Sequence, residues 1–136
     1  MLPSFSEFDV NWGDLALVFA GSGLGGASRF LVSRVMAQHT TAQLFPWSTF
    51  IINVTGCLLI GILYAFATRY SSISRELLLF LSVGFCGGFT TFSTFMNENY
   101  ILFQGGNLWY AILYWSASTV CGFLALYLGY YCAARL

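Results

Sequence analysis

Four long apolar stretches, separated by short polar connectors, dominate the hydrophobic pattern of the chain. A helix of about 20 mainly apolar residues crosses the roughly 30 Å of hydrocarbon in a bilayer. The pattern therefore predicts four transmembrane helices, at about residues 14–36, 47–68, 75–102 and 108–132. We expect an all-α membrane protein in which residues 1–136 form a single four-helix transmembrane domain.

The composition excludes several other classes of protein. Hydrophobic residues make up 58% of the chain and charged residues only 7%, too few for a water-soluble domain of 136 residues. Five basic and five acidic residues balance, so no charge excess is available for nucleic acid. Glu7 and Asp9 precede the first span without a basic stretch, which argues against a cleaved secretory signal. The four cysteines lack metal-type spacing, and we expect neither zinc nor a disulfide.

The third span is predicted to break in the middle of the membrane. It is apolar up to Phe85 and continues as CGGFTT at residues 86–91, a poor helix former where lipid requires satisfied backbone groups. Non-helical backbone is tolerated at that depth when protein buries it or when it lines a polar cavity. The third span is therefore the predicted functional element.

Two glycine pairs with GxxxG spacing mark helix faces without side chains: Gly21 with Gly25, and Gly84 with Gly88. Such faces favour close packing of helices in a membrane. Packing explains the first pair. Near the second pair, Gly87 adds a glycine where the helix is already weak, which strengthens the prediction of a break.

Hydroxyl and phenyl side chains alternate directly after the predicted break, at Thr90, Thr91, Phe92, Ser93, Thr94 and Phe95. On a resumed helix, Phe92 and Phe95 are three positions apart and lie on one face. An aromatic ring has a positive edge, so two phenyl edges can face an anion without holding it as tightly as a full positive charge. The alternative is that both rings face lipid or protein, since the chain has 14 phenylalanines.

Three further polar residues are predicted at membrane depth or its margin. Asn53 lies mid-span, where an amide needs a partner, so it either links two helices or donates to a passing anion. Arg29 and Glu98 are charges that pair, cap a helix end or border a water pathway, and a structural role is open to both. No catalytic set of residues is found, and the single histidine, His39, lies in a connector, so we predict no enzyme.

The charges at the span ends predict little preference for one orientation. An even number of spans places Arg69, Arg75 and Arg135 on one side and Arg34 near the other, a weak positive-inside bias. Our hypothesis is that the chain inserts in both orientations and dimerises antiparallel.

The third span resembles a known family, the small fluoride channels called Fluc or CrcB-like proteins. The string GFCGGFTTFSTF at 84–95, followed by Glu98, is similar to the family signature almost position for position. The second span from Pro46 through Asn53 and the glycine-rich first span ending at Arg29 are also similar to the family pattern. The resemblance covers nearly all of the chain and is weakest in the N-terminal extension and the fourth span. Departures from the pattern are Ser22, Gly26, Phe30, Ser48 and Cys57.

The resemblance implies a multi-pass protein of the cell (inner) membrane that forms a dual-topology antiparallel homodimer with two pores. It implies passive export of fluoride, which lowers the cytoplasmic fluoride concentration, and rejection of chloride. The implied fluoride pore residues are Asn53, Phe92, Thr94, Phe95, Glu98, Tyr114 and Ser118. The implied cofactor is a structural sodium ion at the dimer centre, held by the backbone carbonyls of Gly87 and Thr90, hard ligands that suit a hard cation.

Two other functions remain open from the sequence. A small dual-topology, proton-coupled multidrug exporter has the same size and span count, but it needs an ionisable carboxylate deep in the membrane. Asp14 lies at the edge of the first span, which leaves Glu98. The second open function is that of a non-transporting membrane subunit that packs on a partner through its glycine faces. A broken helix with a hydroxyl and phenyl track would then have no purpose.

Overall fold

The computed structural model describes residues 11–39, 44–70 and 73–136, in which all regular secondary structure is helical. In chain order the elements are α1 (Trp12–His39), α2 (Trp47–Arg69), α3 (Arg75–Leu78), a π-helical segment (Leu79–Cys86), α4 (Gly87–Phe89), α5 (Phe92–Gln104) and α6 (Leu108–Ala133). Four stretches are long and apolar enough to cross a membrane: α1, α2, residues 75–104 and α6. The prediction of an all-α protein with four membrane-spanning helices is confirmed, and each helix is slightly longer than its predicted span.

Some sequence predictions fall outside the described residues. The acidic segment with Glu7 and Asp9 and most of the polar connector at 38–43 are among them. The assignment of residues 1–136 to one domain stays a prediction.

The third span is interrupted at Thr90 and Thr91, which are both extended, with φ −78° and ψ 161° at Thr90 and φ −150° and ψ 116° at Thr91. The predicted break in this helix is confirmed, but its position within residues 86–91 needs correction, because Gly87 and Gly88 stay helical in α4. Packing explains Gly88, since a Cβ there would overlap the backbone of Ser22. Helix propensity alone does not place the break, since glycine is a poorer helix former than threonine. At Thr90 and Thr91 the helical bonds are replaced by bonds to side chains, from the Thr91 N–H to Asn53 and from the Thr94 N–H to Thr91 Oγ1.

Helix α1 packs along the first half of the third span, which we define as residues 75–89. Both predicted glycine pairs lie in this contact. A Cβ added at Gly21 would lie 2.9 Å from the Cα of Gly84, and one added at Gly25 would overlap the carbonyl of Phe85. The two backbones therefore touch directly, as small-residue faces allow.

Helices α2 and α6 form a second parallel pair. A Cβ added at Gly61 of α2 would overlap the carbonyl of Leu126 in α6. Where the two helices end, Arg69 Nη1 donates a 2.6 Å hydrogen bond to the carbonyl of Ala134. The four spans thus pack as two pairs, the first with the third and the second with the fourth.

The ends of these pairs carry most of the charge on one side of the helices. At the start of α3, the guanidinium of Arg75 donates to both carboxylate oxygens of Asp14, with Nη1–Oδ1 at 3.0 Å. Arg69 and Arg135 lie at the ends of α2 and α6, on the same side. Arg34 lies near the opposite end of α1.

Candidate functional site

The break in the third span is held by a side chain from α2. Asn53 Nδ2 donates to the carbonyl of Thr91 at 3.0 Å, and Asn53 Oδ1 accepts from the Thr91 N–H at 2.8 Å. One amide thus satisfies both backbone groups of a residue that has left the helix, at a depth where lipid offers no substitute. Asn53 thus links two helices, which is one of the two roles that the sequence left open for it. An amide nitrogen carries two hydrogens, and among the described residues only one of those on Nδ2 has an acceptor.

The same break leaves two carbonyl groups without their helical donors. The Thr91 N–H, which would bond the carbonyl of Gly87 in a continuous α-helix, bonds Asn53 instead. The Thr94 N–H likewise bonds Thr91 Oγ1 rather than the carbonyl of Thr90. Within the described ranges, no hydrogen bond reaches the carbonyl oxygen of Gly87 or Thr90.

The neighbouring carbonyl, that of Gly88, has a different partner. Arg29 Nε in α1 donates to it at 3.2 Å. An arginine at membrane depth is stable when a backbone carbonyl of the next helix accepts from it. Arg29 therefore has a structural contact with the third span beside the break.

A groove of about 430 Å³ opens beside the break, between α2, the third span and α6. Its lining includes Asn53, Gly87, Thr90, Thr91, Phe92 and the thiols of Cys57 and Cys86. The structure thus brings the predicted sodium ligands, the predicted amide and one predicted phenylalanine to a single surface.

A second cluster surrounds the carboxylate of Glu98 in α5. Thr49 Oγ1 of α2 donates to Glu98 Oε1 at 2.8 Å, and Tyr114 Oη of α6 donates to Glu98 Oε2 at 2.7 Å. Thr49 is 4% exposed and Tyr114 is fully buried. Through these two hydrogen bonds, one carboxyl group ties three spans together.

The two predicted phenylalanines join the break to this cluster. The ring centroids of Phe92 and Phe95 are 6.1 Å apart, and the ring of Phe95 meets that of Tyr114 at 4.9 Å in an edge-to-face arrangement. Phe95 is 7% exposed, whereas Phe92 is 72% exposed on the surface of the single chain. One ring is therefore part of the packed interior and the other projects outward.

Two predicted hydroxyl residues differ in their surroundings. Thr94 takes part in the N-cap of α5, since Thr91 Oγ1 accepts from its N–H and donates to its Oγ1 at 3.0 Å. Ser118 Oγ in α6 is buried and has no hydrogen-bond partner among the described residues. Buried polar atoms without a partner are rare, so the Ser118 hydroxyl has hydrogen-bonding capacity that the described residues do not use.

Two side chains of the site were missed by the sequence analysis. Thr49 was missed because a threonine hydroxyl in a helix commonly bonds a carbonyl of its own helix. The sequence cannot distinguish that bond from the observed one to Glu98. Phe45 lies in the connector before α2, yet its ring centroid is 5.3 Å from that of Tyr114. The sequence held only a weak signal for them: Phe45 directly precedes the Pro46-Trp47 pair, and Thr49 follows it by two positions.

Four membrane-spanning helices, one of them broken beside polar groups, define the chain as a multi-pass membrane protein with the architecture of an ion channel or transporter. Residues 16–130 match the family model described as CrcB-like protein, Camphor Resistance (CrcB). The chain therefore belongs to the CrcB-like family, and the resemblance seen in the third span is confirmed.

Relatives match along nearly their whole length. A protein of Bacteroides fragilis named fluoride-specific ion channel FluC is 42% identical over 120 residues, covering 87% of this chain and 94% of that protein. Proteins of the same name from Flavobacterium psychrophilum and Chlorobium luteolum are 40% and 46% identical, covering 85% and 83% of this chain and 93% and 86% of theirs. Since the relatives are named as ion channels, the prediction that the chain is not an enzyme is confirmed.

Proposed function

We propose that the protein is a fluoride-selective anion channel that passively exports fluoride and lowers its cytoplasmic concentration. The relatives' name, fluoride-specific ion channel, supports fluoride as the ion. The observation that carries the proposal is the ring pair of Phe92 and Phe95, which begins α5 directly after the break at Thr90 and Thr91. Ring edges offer positive potential and the break offers polar groups, both without a fixed cation that would trap the anion.

The polar groups along the proposed pathway have free hydrogen-bonding capacity. Asn53 keeps one Nδ2 hydrogen after bonding Thr91, and Ser118 Oγ is buried without a partner in the described chain. Both can replace part of the hydration shell that fluoride loses. The Tyr114 proton already points to Glu98, so we assign this pair to shaping the pathway wall beside Phe95. The Thr94 hydroxyl lies at the start of α5, beside the same rings.

We propose that the working unit is an antiparallel homodimer with two pores. In the single chain, Phe92 projects outward and the groove beside the break is open, so neither forms a closed pathway. A second copy seated on this face would enclose both. The small difference in charge between the two sides, three arginines on one and one near the other, supports insertion in both orientations.

We also propose that a structural sodium ion binds at the dimer centre. Gly87 and Thr90 line the groove, and their carbonyl oxygens accept no hydrogen bond in the described chain, so these oxygens suit a hard cation that takes oxygen ligands. When bound, such an ion supplies positive charge that favours anions nearby. The protein's part is to keep both carbonyls free: the bond from the Thr91 N–H to Asn53 does so for Gly87, and the bond from the Thr94 N–H to Thr91 Oγ1 does so for Thr90.

No observation favours the proton-coupled exporter. Asp14 pairs with Arg75 at the end of α1, and Glu98 accepts hydrogen bonds from two buried hydroxyl groups. Both carboxylates are thus already engaged by side-chain donors.

Ion efflux from liposomes tests the proposed function. Purified protein is reconstituted with internal potassium fluoride or potassium chloride, and valinomycin makes potassium permeant. A fluoride electrode should record rapid fluoride release, while chloride release stays at the level of protein-free liposomes. Absence of fluoride release from folded protein would contradict the proposal.

A further inference from the structure

We propose that Phe45, in the connector before α2, is a positioning residue for the fluoride pathway. Its ring holds the ring of Tyr114 in place and, through Tyr114, the ring of Phe95 and the carboxylate of Glu98. The inference rests on the proposed function, because Phe95 and Glu98 are placed in the pathway there. It adds a residue from outside the membrane-spanning helices to the set that determines the pathway's shape.

The contacts of Tyr114 carry the proposal. The ring of Tyr114 lies between two phenyl rings, Phe95 at 4.9 Å with an interplanar angle of 63° and Phe45 at 5.3 Å with an angle of 76°. Both geometries are the edge-to-face type that aromatic pairs prefer. Tyr114 is fully buried, so a tilt of its ring would have to displace side chains packed against it, Phe45 and Phe95 among them.

The position of Tyr114 matters because it touches two pathway groups at once. Its hydroxyl donates to Glu98 Oε2 at 2.7 Å, and its ring is the packing partner of Phe95. A hydrogen bond of that length tolerates little displacement before it weakens. If the ring shifted into the space left by Phe45, the carboxylate of Glu98 and the ring of Phe95 would both lose their present orientation.

Phe45 is itself held by its neighbours rather than by a helix. Its ring contacts those of Trp47 at 4.5 Å and Phe50 at 5.5 Å, at the start of α2. Phe50 packs in the same cluster but makes no ring contact with Tyr114 within the described chain; its ring contacts are with Phe45 and Trp47. The chain thus offers a matched control: both phenylalanines pack against the core that contains Tyr114, but among the described residues only Phe45 forms a ring pair with it.

The test compares Phe45→Leu with Phe50→Leu in the dimeric protein. Each removes a ring and keeps a side chain of similar apolar size, so both should lower the melting temperature by similar amounts. Fluoride flux at saturating concentration should fall about three- to tenfold in Phe45→Leu, the size set by one aromatic pair, and stay within about twofold in Phe50→Leu. Phe45→Tyr keeps the ring and should restore flux to near the unsubstituted level.

Three results would overturn the proposal: undiminished flux in folded Phe45→Leu, an equal loss of flux in Phe50→Leu, or no recovery in Phe45→Tyr. If Phe45→Leu does not fold, Phe45→Met replaces it, since an unbranched side chain fills irregular gaps while still lacking a ring. Absence of fluoride flux in the unsubstituted protein contradicts the proposed function instead, so the two failures are distinguishable.

Discussion

Asn53 bonds both backbone groups of Thr91, through its amide nitrogen at 3.0 Å and its amide oxygen at 2.8 Å. A residue in the second span therefore stabilises the point where the third span stops being helical. This contact keeps the extended backbone at Thr90 and Thr91 compatible with a membrane interior. It also engages the Thr91 N–H, which in a continuous helix would donate to the carbonyl of Gly87.

Asn53→Ala should destabilise the protein by about 2 kcal/mol or more, because it leaves an N–H and a C=O of Thr91 without partners. Thermal unfolding in detergent measures the effect. Asn99→Ala is the control, since Asn99 Nδ2 donates to the carbonyl of Phe95 within its own helix and its loss strands no helical donor. Equal melting temperatures for the two variants would show that the Thr91 contact is unimportant.

Thr49→Val should cost about 1–3 kcal/mol of stability, because it removes one donor to the carboxyl group of Glu98 at nearly constant volume. Thr68→Val is matched to it: Thr68 is also in α2, but its hydroxyl donates to the carbonyl of Ala65 in the same helix. A double-mutant cycle with Glu98→Gln should show coupling for Thr49 and none for Thr68. Additive effects for Thr49 would argue against the bond.

Gly25→Ala should destabilise the protein by about 1–3 kcal/mol, because the added methyl would overlap the carbonyl of Phe85 where two backbones touch. Gly23→Ala is the control, because Gly23 lies in the same helix but has no atom within 4 Å of the added Cβ. This substitution should be neutral or slightly stabilising. Thermal unfolding compares them. If the two variants are equally stable, α1 does not pack against the third span at Gly25 as described.

Phe92→Ile and Phe95→Ile should both reduce fluoride efflux at least about tenfold if each ring edge faces the ion. They should differ in stability, because Phe95 is 7% exposed against Tyr114 while Phe92 is 72% exposed. Phe103→Ile, also on α5 and 63% exposed, is the control and should keep both flux and stability. Unchanged efflux in both of the first two variants would remove the phenylalanines from the pathway.

Replacing sodium with N-methyl-D-glucamine should lower the melting temperature of the protein, since an ion that binds only the folded protein stabilises it by mass action. The organic cation is too large for two backbone carbonyls, so the comparison at equal ionic strength measures the stabilisation that sodium provides. The same melting temperature in both salts would contradict the proposed sodium ion.

The helices could be predicted from the sequence because each apolar run is long enough to span a bilayer, and the break because CGGFTT is weak helix material. The partners could not. The bond between Asn53 and Thr91 and the bond between Thr49 and Glu98 both depend on which helices pack together and in what register. The apolar runs in the sequence are the same for every such arrangement. The glycines misled the placement of the break, since Gly88 serves the contact with Ser22.

The pathway residues were predictable only in part, for the same reason. Phe92 and Phe95 follow from their spacing on one face, whereas their unequal burial depends on the fold of the connector that brings Phe45 to Tyr114. An aromatic residue in a connector reads as an interfacial anchor, and only the packed structure gives it a partner.

The most direct test of the central claim is electrical recording from the purified protein in a planar bilayer, with a fluoride gradient and equal chloride on both sides. The account predicts a current that reverses at the equilibrium potential of fluoride and does not shift when a pH gradient is imposed. A reversal potential that follows chloride would contradict selectivity, and one that moves with the proton gradient would contradict passive transport.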